Sequence, residues 1–357
     1  MVNCVGVWQD GLRDDVQRVQ LNGTKALFDG CVRAGVKRVI HISAIGAEPD
    51  GPSAFSRSKA GAEAYLKELA LDWVILRPAL VLGPAVHGGT AMLRGIAAFP
   101  GLVPIVRADA RIQVIELDDL TETVARALAP VASARTVWDV THPQVHPLAD
   151  IVTAIRAWLG FRPRRVVALP NAIACMMARL ADALGWLGWR SPARSTSLAQ
   201  LSAGVVGDPA RWVAETGIAP KSLAQILAAR PASVQDRWFA QLYLLKPLAI
   251  LGVAIAAILH SAGFLAFLLR SHVIGVSPRG VAAVTALGVV YFLAGLGLLV
   301  RSAARCALLV LFMLTLFLLA WGWFKPSISF FWLLDAVAFS FPMLLAILFT
   351  LGILDDR

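Results

Sequence analysis

The last third of the chain carries few charges and is built from long apolar runs. Four of them, about Pro247–Leu269, Val281–Val300, Cys306–Trp323 and Phe330–Leu354, are separated only by Arg270–Gly280, Arg301–Arg305 and Phe324–Ser329. Each run is close to the ~20 residues with which a helix crosses a hydrocarbon core. A soluble helix keeps a polar stripe toward water, and these keep almost none, so helices buried inside a large soluble protein are the weaker reading. Short breaks between long helices imply antiparallel neighbours in an all-α four-helix transmembrane bundle. The lipid bilayer is therefore the first expected partner.

Before Trp238 the composition is that of a water-soluble domain, so the overall 58% hydrophobic and 16% charged residues average over two solvents. The net charge of +10 comes largely from arginines scattered between Arg156 and Arg237. No groove-reading motif or zinc-ligand spacing accompanies them, which argues against nucleic acid and for an anionic lipid surface. Arg211, Lys221, Arg230, Arg237 and Lys246 precede the first apolar run, and Arg301 and Arg305 lie in the second break. Arg270 and Arg279 in the first break weaken the asymmetry, and Lys325 is alone in the third. The bias still favours a cytoplasmic soluble domain on a bacterial-type inner membrane. Met1 leads directly into an apolar strand and then Asp10, Arg13, Asp14 and Asp15, which reads as no signal peptide. Cys4, Cys31, Cys175 and Cys306 form no metal or disulfide spacing. Tyr243, Trp321, Trp323 and Trp332 fall near span ends, where amphipathic rings favour the interface. His260 and Asp335 fall at depth, either as hydrogen-bond partners between helices or as a functional pair.

The first half alternates strand and helix. Val2–Val7 reads as a strand, and Asp15–Ala34 as a helix with Val16, Val19, Leu27, Cys31 and Ala34 on one face. Gly35 stands where a helix end needs a left-handed residue. Arg38–Ser43 is a β-branched strand, Phe55–Leu69 a helix, Trp73–Leu76 and Ile112–Leu117 strands, and Asp118–Ala129 a helix opened by acidic residues. This is the pattern of βαβ units and a parallel sheet.

Several strings in this half, in the same order, resemble extended and atypical short-chain dehydrogenase/reductases. VNCVG (Val2–Gly6) looks like the end of their fourth strand, and LNGTKALFDGCVRAGVKRVIHISAIGAE (Leu21–Glu48) like their fourth helix through fifth strand. SRSKAGAEAYLKE (Ser56–Glu68) is similar to the helix of their catalytic lysine, and VILRPALVLGP (Val74–Pro84) to their sixth strand and following loop. IQVIELDDLTETVARAL (Ile112–Leu128) is like a later strand–helix unit. The branch most similar holds NmrA-like proteins and the nucleotide-binding accessory subunit of respiratory complex I, and the tail resembles the DoxX-like membrane family.

The resemblance implies an α/β Rossmann-like parallel sheet that binds NAD(P) and hydride chemistry that needs a phenol, a lysine to lower its pKa and a hydroxyl to orient a carbonyl. By position these are Phe55, Lys59 and Ser43, with Gln20 where the family has a helix asparagine. Phe55 has no ionisable proton, so the family's proton relay is broken there. Cofactor contacts carry over to Val5, Gly6, Lys59, Pro78, Ala79, Leu80 and Val81. The glycine-rich turn that would cradle the pyrophosphate belongs to a first portion of the fold that is expected upstream of Val2. Gly83, Gly88 and Gly89 follow a later strand and cannot replace it. Either the chain continues upstream or cofactor binding has been lost; a sheet missing its central strand would expose an apolar edge, which favours continuation. His41 reads as a core histidine, and His87 as a candidate for a substituted acid.

The expected organisation is an incomplete Rossmann domain over 1–172, a helical substrate-side region over 173–240 and a DoxX-like four-helix membrane domain over 241–357. Two functions remain open at this level. One is a membrane-anchored NAD(P)-dependent oxidoreductase with a quinone- or lipid-like substrate. The other is a non-catalytic NAD(P)H sensor or scaffold of a membrane redox complex. Transport through the bundle rests only on His260 and Asp335.

Overall fold

The run from Arg38 to Ile42 becomes an inner strand because its β-branched side chains pack on both faces of a parallel sheet. The structure is a computed structural model describing residues 1–12, 14–129, 133–274, 277–324 and 330–354, with side chains at 270–274, 321–324 and 330–339 outside that description. Among the described residues the strands are β1 Val2–Asn3, β2 Arg38–Ile42, β3 Asp72–Pro78, β4 Leu80–Leu82, β5 Val103–Ile105, β6 Arg111–Ile112, β7 Val114–Glu116, β8 Thr136–Val140, β9 His146–Pro147 and β10 Val166–Ala168. The α-helices of this half are α1 Thr24–Arg33, α2 Ala54–Glu68, α3 Gly88–Ala97, α4 Leu117–Ala127, α5 Leu148–Trp158, α6 Asn171–Trp186, α7 Ser195–Ala203, α8 Ala210–Thr216 and α9 Leu223–Ala229.

The main sheet has the order β1-β2-β3-β8 with every pair parallel. One face is covered by a core of Val74, Leu76, Trp138 and Trp212, and the other by Phe28, Leu66 and Ile75. The parallel sheet expected from the alternating pattern is therefore present, and it is Rossmann-like, as the resemblance implied. At Ala79 the chain leaves this sheet: β3 pairs with β8, while β4 pairs with β7. That jog points the segment from Pro78 to Val81 across the C-terminal ends of the strands.

The strand expected over Ile112–Leu117 is broken at Gln113 into β6 and β7, which pair with β9 and β4, and the first strand and the helix after it also differ from the sequence expectation. The first strand ends at Asn3 rather than Val7, because Val5 and Val7 turn to other partners: Val5 N–H donates to Asn3 Oδ1 at 3.0 Å and Val7 N–H to Gln20 Oε1 at 3.1 Å. The helix expected over Asp15–Ala34 is split into a π-helical stretch, Gln17–Gly23, and α1. Such wide turns are rare and cluster at functional sites; here the stretch aims the buried Gln20 at α2. Gly35 has φ +68°, the left-handed conformation its place after the helix requires.

The chain packs as two compact units, Met1–Trp186 with Arg190–Gln241, and Leu187–Trp189 with Leu242–Arg357. Helices α10 Val234–Ile274, α11 Pro278–Gly297, α12 Arg301–Phe324 and α13 Phe330–Ile353 follow. Helix α10 starts well before Pro247, where the first span was expected, because Ser233 and Asp236 cap each other's backbone N–H groups. Among the described residues three helices are long and apolar enough to cross a membrane, over Val234–Leu269, Pro278–Gly297 and Arg301–Ala320, and Ser340–Ile353 is a shorter apolar helix. Asp335, Trp321, Trp323, Trp332 and the Phe324–Ser329 break lie largely or wholly outside the described side chains, so a meeting of His260 with Asp335 does too.

Inside the second unit, α11 approaches α10 through small residues. A Cβ on Gly295 would stand 2.9 Å from Ile258 Cγ1 and 3.2 Å from the Ala254 carbonyl, and one on Gly288 3.1 Å from Phe264 Cβ. Tyr291, between them, lies against the His260 ring with centroids 4.7 Å apart and bonds Thr315 at 3.1 Å. Gly295→Val should therefore push the two helices apart at a cost of about 1–3 kcal/mol. A detergent-stability assay that shows wild-type resistance for this variant would contradict the close approach.

Candidate functional site

Helix α2 positions the lysine. Ser53 caps it, with Ser53 Oγ accepting from Ser56 N–H at 3.1 Å, and the following turns carry Phe55, Lys59 and Glu63 along one stripe. Lys59 is buried, and its ammonium donates to the Ile42 carbonyl at 2.8 Å and the Val5 carbonyl at 3.3 Å. Two of its three N–H bonds are thereby used. Burial pushes its pKa down to about 8, with the charge of Glu63 pulling the other way. Val5 and Gly6 above it are exposed, so the loop after β1 is open on its outer side. A Cβ on Gly6 would lie 3.7 Å from Lys59 Nζ and 3.6 Å from Gln20 Oε1, an ordinary contact distance.

Gln20 joins the same cluster. Its amide donates to Ser58 Oγ at 2.8 Å and the Phe55 carbonyl at 3.1 Å, while its oxygen accepts from Val7 N–H. The structure thus brings Gln20, Val5, Gly6 and Lys59 together. Ser43 is next to Ile42 but its hydroxyl donates into the protein, to Glu63 Oε1 at 2.5 Å. Glu63 also accepts from Arg77 Nε at 2.8 Å and Nη2 at 2.6 Å. The Phe55 ring lies against Trp8, with centroids 4.3 Å apart and planes at 48°, and Trp8 Nε1 donates to Ser197 Oγ at 3.0 Å. Pro78 is tied to the Ser43 strand end through its carbonyl, which accepts from Ile45 N–H at 3.3 Å, and Ala79, Leu80 and Val81 follow in the jog.

His41 is fully buried, with Asn3 Nδ2 at 3.1 Å from its Nδ1 and the Phe28 ring edge-on at 5.5 Å. Burial, aided by the Lys59 charge, lowers its pKa to about 3, which fits a neutral core histidine. His87 is exposed just ahead of α3, where its N–H donates to Thr90 Oγ1 at 3.3 Å; no hydrogen bond among the described residues ties it to Lys59 or Ser43. Among the described residues no group of histidines, cysteines or carboxylates could hold a metal ion. A cavity of about 130 Å³ lies elsewhere, between Leu82–Pro84, Arg94, Trp158 and Ile226. None of Ser43, Lys59, Phe55 and Gln20 lines it, so the chemistry is read from the lysine cluster and not from the void.

Glu63, Arg77, Asn3 and Trp8 were not singled out from the sequence. Glu63 had a visible signal, since it follows Lys59 by one helical turn. The others are joined to the site only by folding.

Residues 6–109 match the family model described as NAD(P)H-binding, which spans the lysine helix, the β2 end and the β3–β4 jog. The chain is also similar to solved structures. The enzyme WbmG from Bordetella bronchiseptica, in complex with NAD and UDP, matches at 18% identity over 63% of this chain and 69% of that one, TM-score 0.46. A dTDP-glucose 4,6-dehydratase from Bacillus anthracis, in complex with NAD, matches at 13% identity over 67% and 71%, TM-score 0.47. RMD from Pseudomonas aeruginosa, complexed with NADPH, matches at 17% identity over 64% and 79%, TM-score 0.46. No curated protein matches the chain.

Proposed function

We propose that the chain is a membrane-anchored NAD(P)(H)-binding protein of the short-chain dehydrogenase/reductase type. The observation that carries this reading is Lys59, a buried ammonium bonded to two main-chain carbonyls under an open loop, inside the stretch similar to an NAD(P)H-binding family. A lysine so placed has a spare N–H for a ribose hydroxyl, and by the family resemblance Val5, Gly6 and Pro78–Val81 would line the nicotinamide side. These residues fit that half of the cofactor. Bound NAD(P)H would supply the hydride. Lys59 would orient the cofactor and hold positive charge beside it, and Gln20 would keep the loop at Val7 in place. Phe55 supplies no proton, so the family's phenol step has no counterpart at this position.

The three apolar helices support an anchor in the bilayer, and the polar bonds kept inside that unit agree with it. Tyr291 meets Thr315, and Lys246 and Arg301 donate to the Leu354 carbonyl at 2.8 and 3.1 Å. An anchored site favours a quinone- or lipid-like substrate over a freely soluble one, on the cytoplasmic face of an inner membrane. A DoxX-like origin of the bundle belongs to the same reading.

The test is cofactor titration of the detergent-solubilised full chain. Lys59→Met should weaken NADPH binding roughly tenfold or more, as loss of a charged hydrogen bond does. Wild-type stability should also rise with pH above about 8, and Lys59→Met should lack that rise. A lysine whose folded pKa lies below its unfolded value costs the fold while charged, and that cost fades only as pH rises past about 8. Absence of any NADPH binding by the wild-type chain would refute the proposal.

The second reading is a non-catalytic sensor or scaffold of a membrane redox complex, favoured by Phe55 and by the Ser43 hydroxyl being engaged with Glu63. Phe55→Tyr separates the two. Appearance of NADPH-dependent reduction of a short-chain quinone supports a site that lacks only its phenol. A variant that binds NADPH and still reduces nothing supports the sensor.

A further inference from the structure

We infer that α6 lies in the membrane surface as an in-plane helix, with its outer apolar face sunk into the lipid headgroup boundary. This rests on the membrane reading above and adds a second, separate contact with the bilayer. Helix α6 buries only small residues, Ala174, Ala178, Ala181 and Gly185, against the protein. A Cβ on Gly185 would stand 2.8 Å from the Arg194 guanidinium carbon, so a larger residue there would displace that guanidinium. The large side chains point the other way: Ile173, Met176, Met177, Leu180 and Leu184 are all exposed, Leu180 by 60%. At 3.6 residues per turn they fall within an arc of roughly 100°. An ordered apolar stripe of this size marks a binding surface.

The occupant follows from how the helix ends. Trp186 closes α6, and the next residues, Leu187–Trp189, pack with the apolar-helix unit. The Leu187 carbonyl accepts from Arg301 N–H at 2.9 Å, and Trp189 Nε1 donates to the Leu299 carbonyl at 2.7 Å. Both partners belong to the turn between α11 and α12, the end of the bundle that also gathers Lys246, Arg301 and Leu354. Chain connectivity alone therefore keeps Trp186, at the end of α6, next in sequence to a segment packed on that turn. Exposed Arg162, Arg164 and Arg165 precede the helix and exposed Arg179 rides on it, matching anionic headgroups. An amphipathic helix with such flanks is suited to lie in the interface.

The experiment uses the full chain with Cys4, Cys175 and Cys306 replaced by serine, in phosphatidylcholine–phosphatidylglycerol vesicles. Single cysteines replace Leu180, Leu184 or, as a control in α11, Val289, and each carries an environment-sensitive fluorophore. Positions 180 and 184 should lose fluorescence to lipids with a nitroxide near the headgroup more than to lipids with a deep nitroxide. Position 289 should show lipid quenching with the opposite depth preference. Removing phosphatidylglycerol should reduce the loss at 180 and 184 only. Quenching at 180 and 184 by aqueous iodide, with 289 lipid-quenched, overturns the proposal and leaves the anchor standing. Shielding of 180 and 184 from both quenchers overturns it too, since protein then covers the face. No lipid quenching at 289 defeats the membrane reading itself.

Discussion

Glu63→Ala is expected to destabilise the first unit by about 3–5 kcal/mol, the range for breaking one side of a buried ion pair. Glu63 side-chain exposure is 2%, and its carboxylate accepts from Ser43 and twice from Arg77, with Lys67 at 3.7 Å. Removing it strands the Ser43 hydroxyl and leaves the Arg77 guanidinium without its counter-charge. Arg77 is 27% exposed and can recruit water, which places the effect toward the lower end. Glu63→Gln keeps the volume and one acceptor, so it should cost less, roughly 1–2 kcal/mol. Urea unfolding of the solubilised full chain, followed by tryptophan fluorescence, measures both. A change within 1 kcal/mol for the alanine variant would mean the pair is no stronger than a surface bridge. Glu63→Gln carries a second signature. The Glu63 charge raises the pKa of Lys59, so its loss should lower that pKa further. Lysine-dependent NADPH binding should then fade at a lower pH than in the wild type.

Acid should unfold the same unit partly through His41. A buried histidine held near 3 rather than 6.5 binds fewer protons in the folded state than in the unfolded one. Its contribution is complete above pH 6.5 and is lost as pH falls toward 3. The linkage relation gives a loss of roughly 3 kcal/mol by pH 4. The cause is burial first, since His41 sits on β2 beneath Phe28, and the Lys59 ammonium second. Other groups titrate in acid as well, so the comparison is with His41→Gln, which keeps a polar partner for Asn3 but cannot be protonated. Stability curves of the two proteins between pH 7.5 and 4 should diverge as the pH drops. Parallel curves would show that His41 is protonated without penalty.

The fold was largely legible because its signals are local. The β-branched run at Val39–Ile42, the glycine after α1 and the apolar runs beyond Lys246 each answer to the backbone and the solvent within a few residues. The site was legible in part. Lys59 falls on the stripe of α2 that its spacing from Phe55 and Glu63 sets, and Gln20 bonds Phe55 and Ser58 of the same helix. Ser43 shows where local reading stops. Its place at the end of β2 follows from the strand, but its hydroxyl faces Glu63 because α2 packs over β2 and β3 at that register. The π-helical stretch at Gln17–Gly23 is of the same kind. No propensity calls for it; Gln20 is held there by three bonds to segments 13 to 38 residues away.

By itself the sequence determined that the last third is built of long apolar helices, that the first half is a parallel α/β sheet and that position 55 has no phenol. Each of these depends on what a residue is and on its neighbours in the chain. The tertiary structure decided who bonds to whom: Lys59 to the carbonyls of Val5 and Ile42, Ser43 to Glu63, and Leu187–Trp189 to the α11–α12 turn. It also left the large side chains of α6 outward, with Ala174, Ala178, Ala181 and Gly185 on the buried side. Such pairings are set by packing across long stretches of chain, where the hydrophobic pattern fixes which face is buried but not which buried polar group finds which partner.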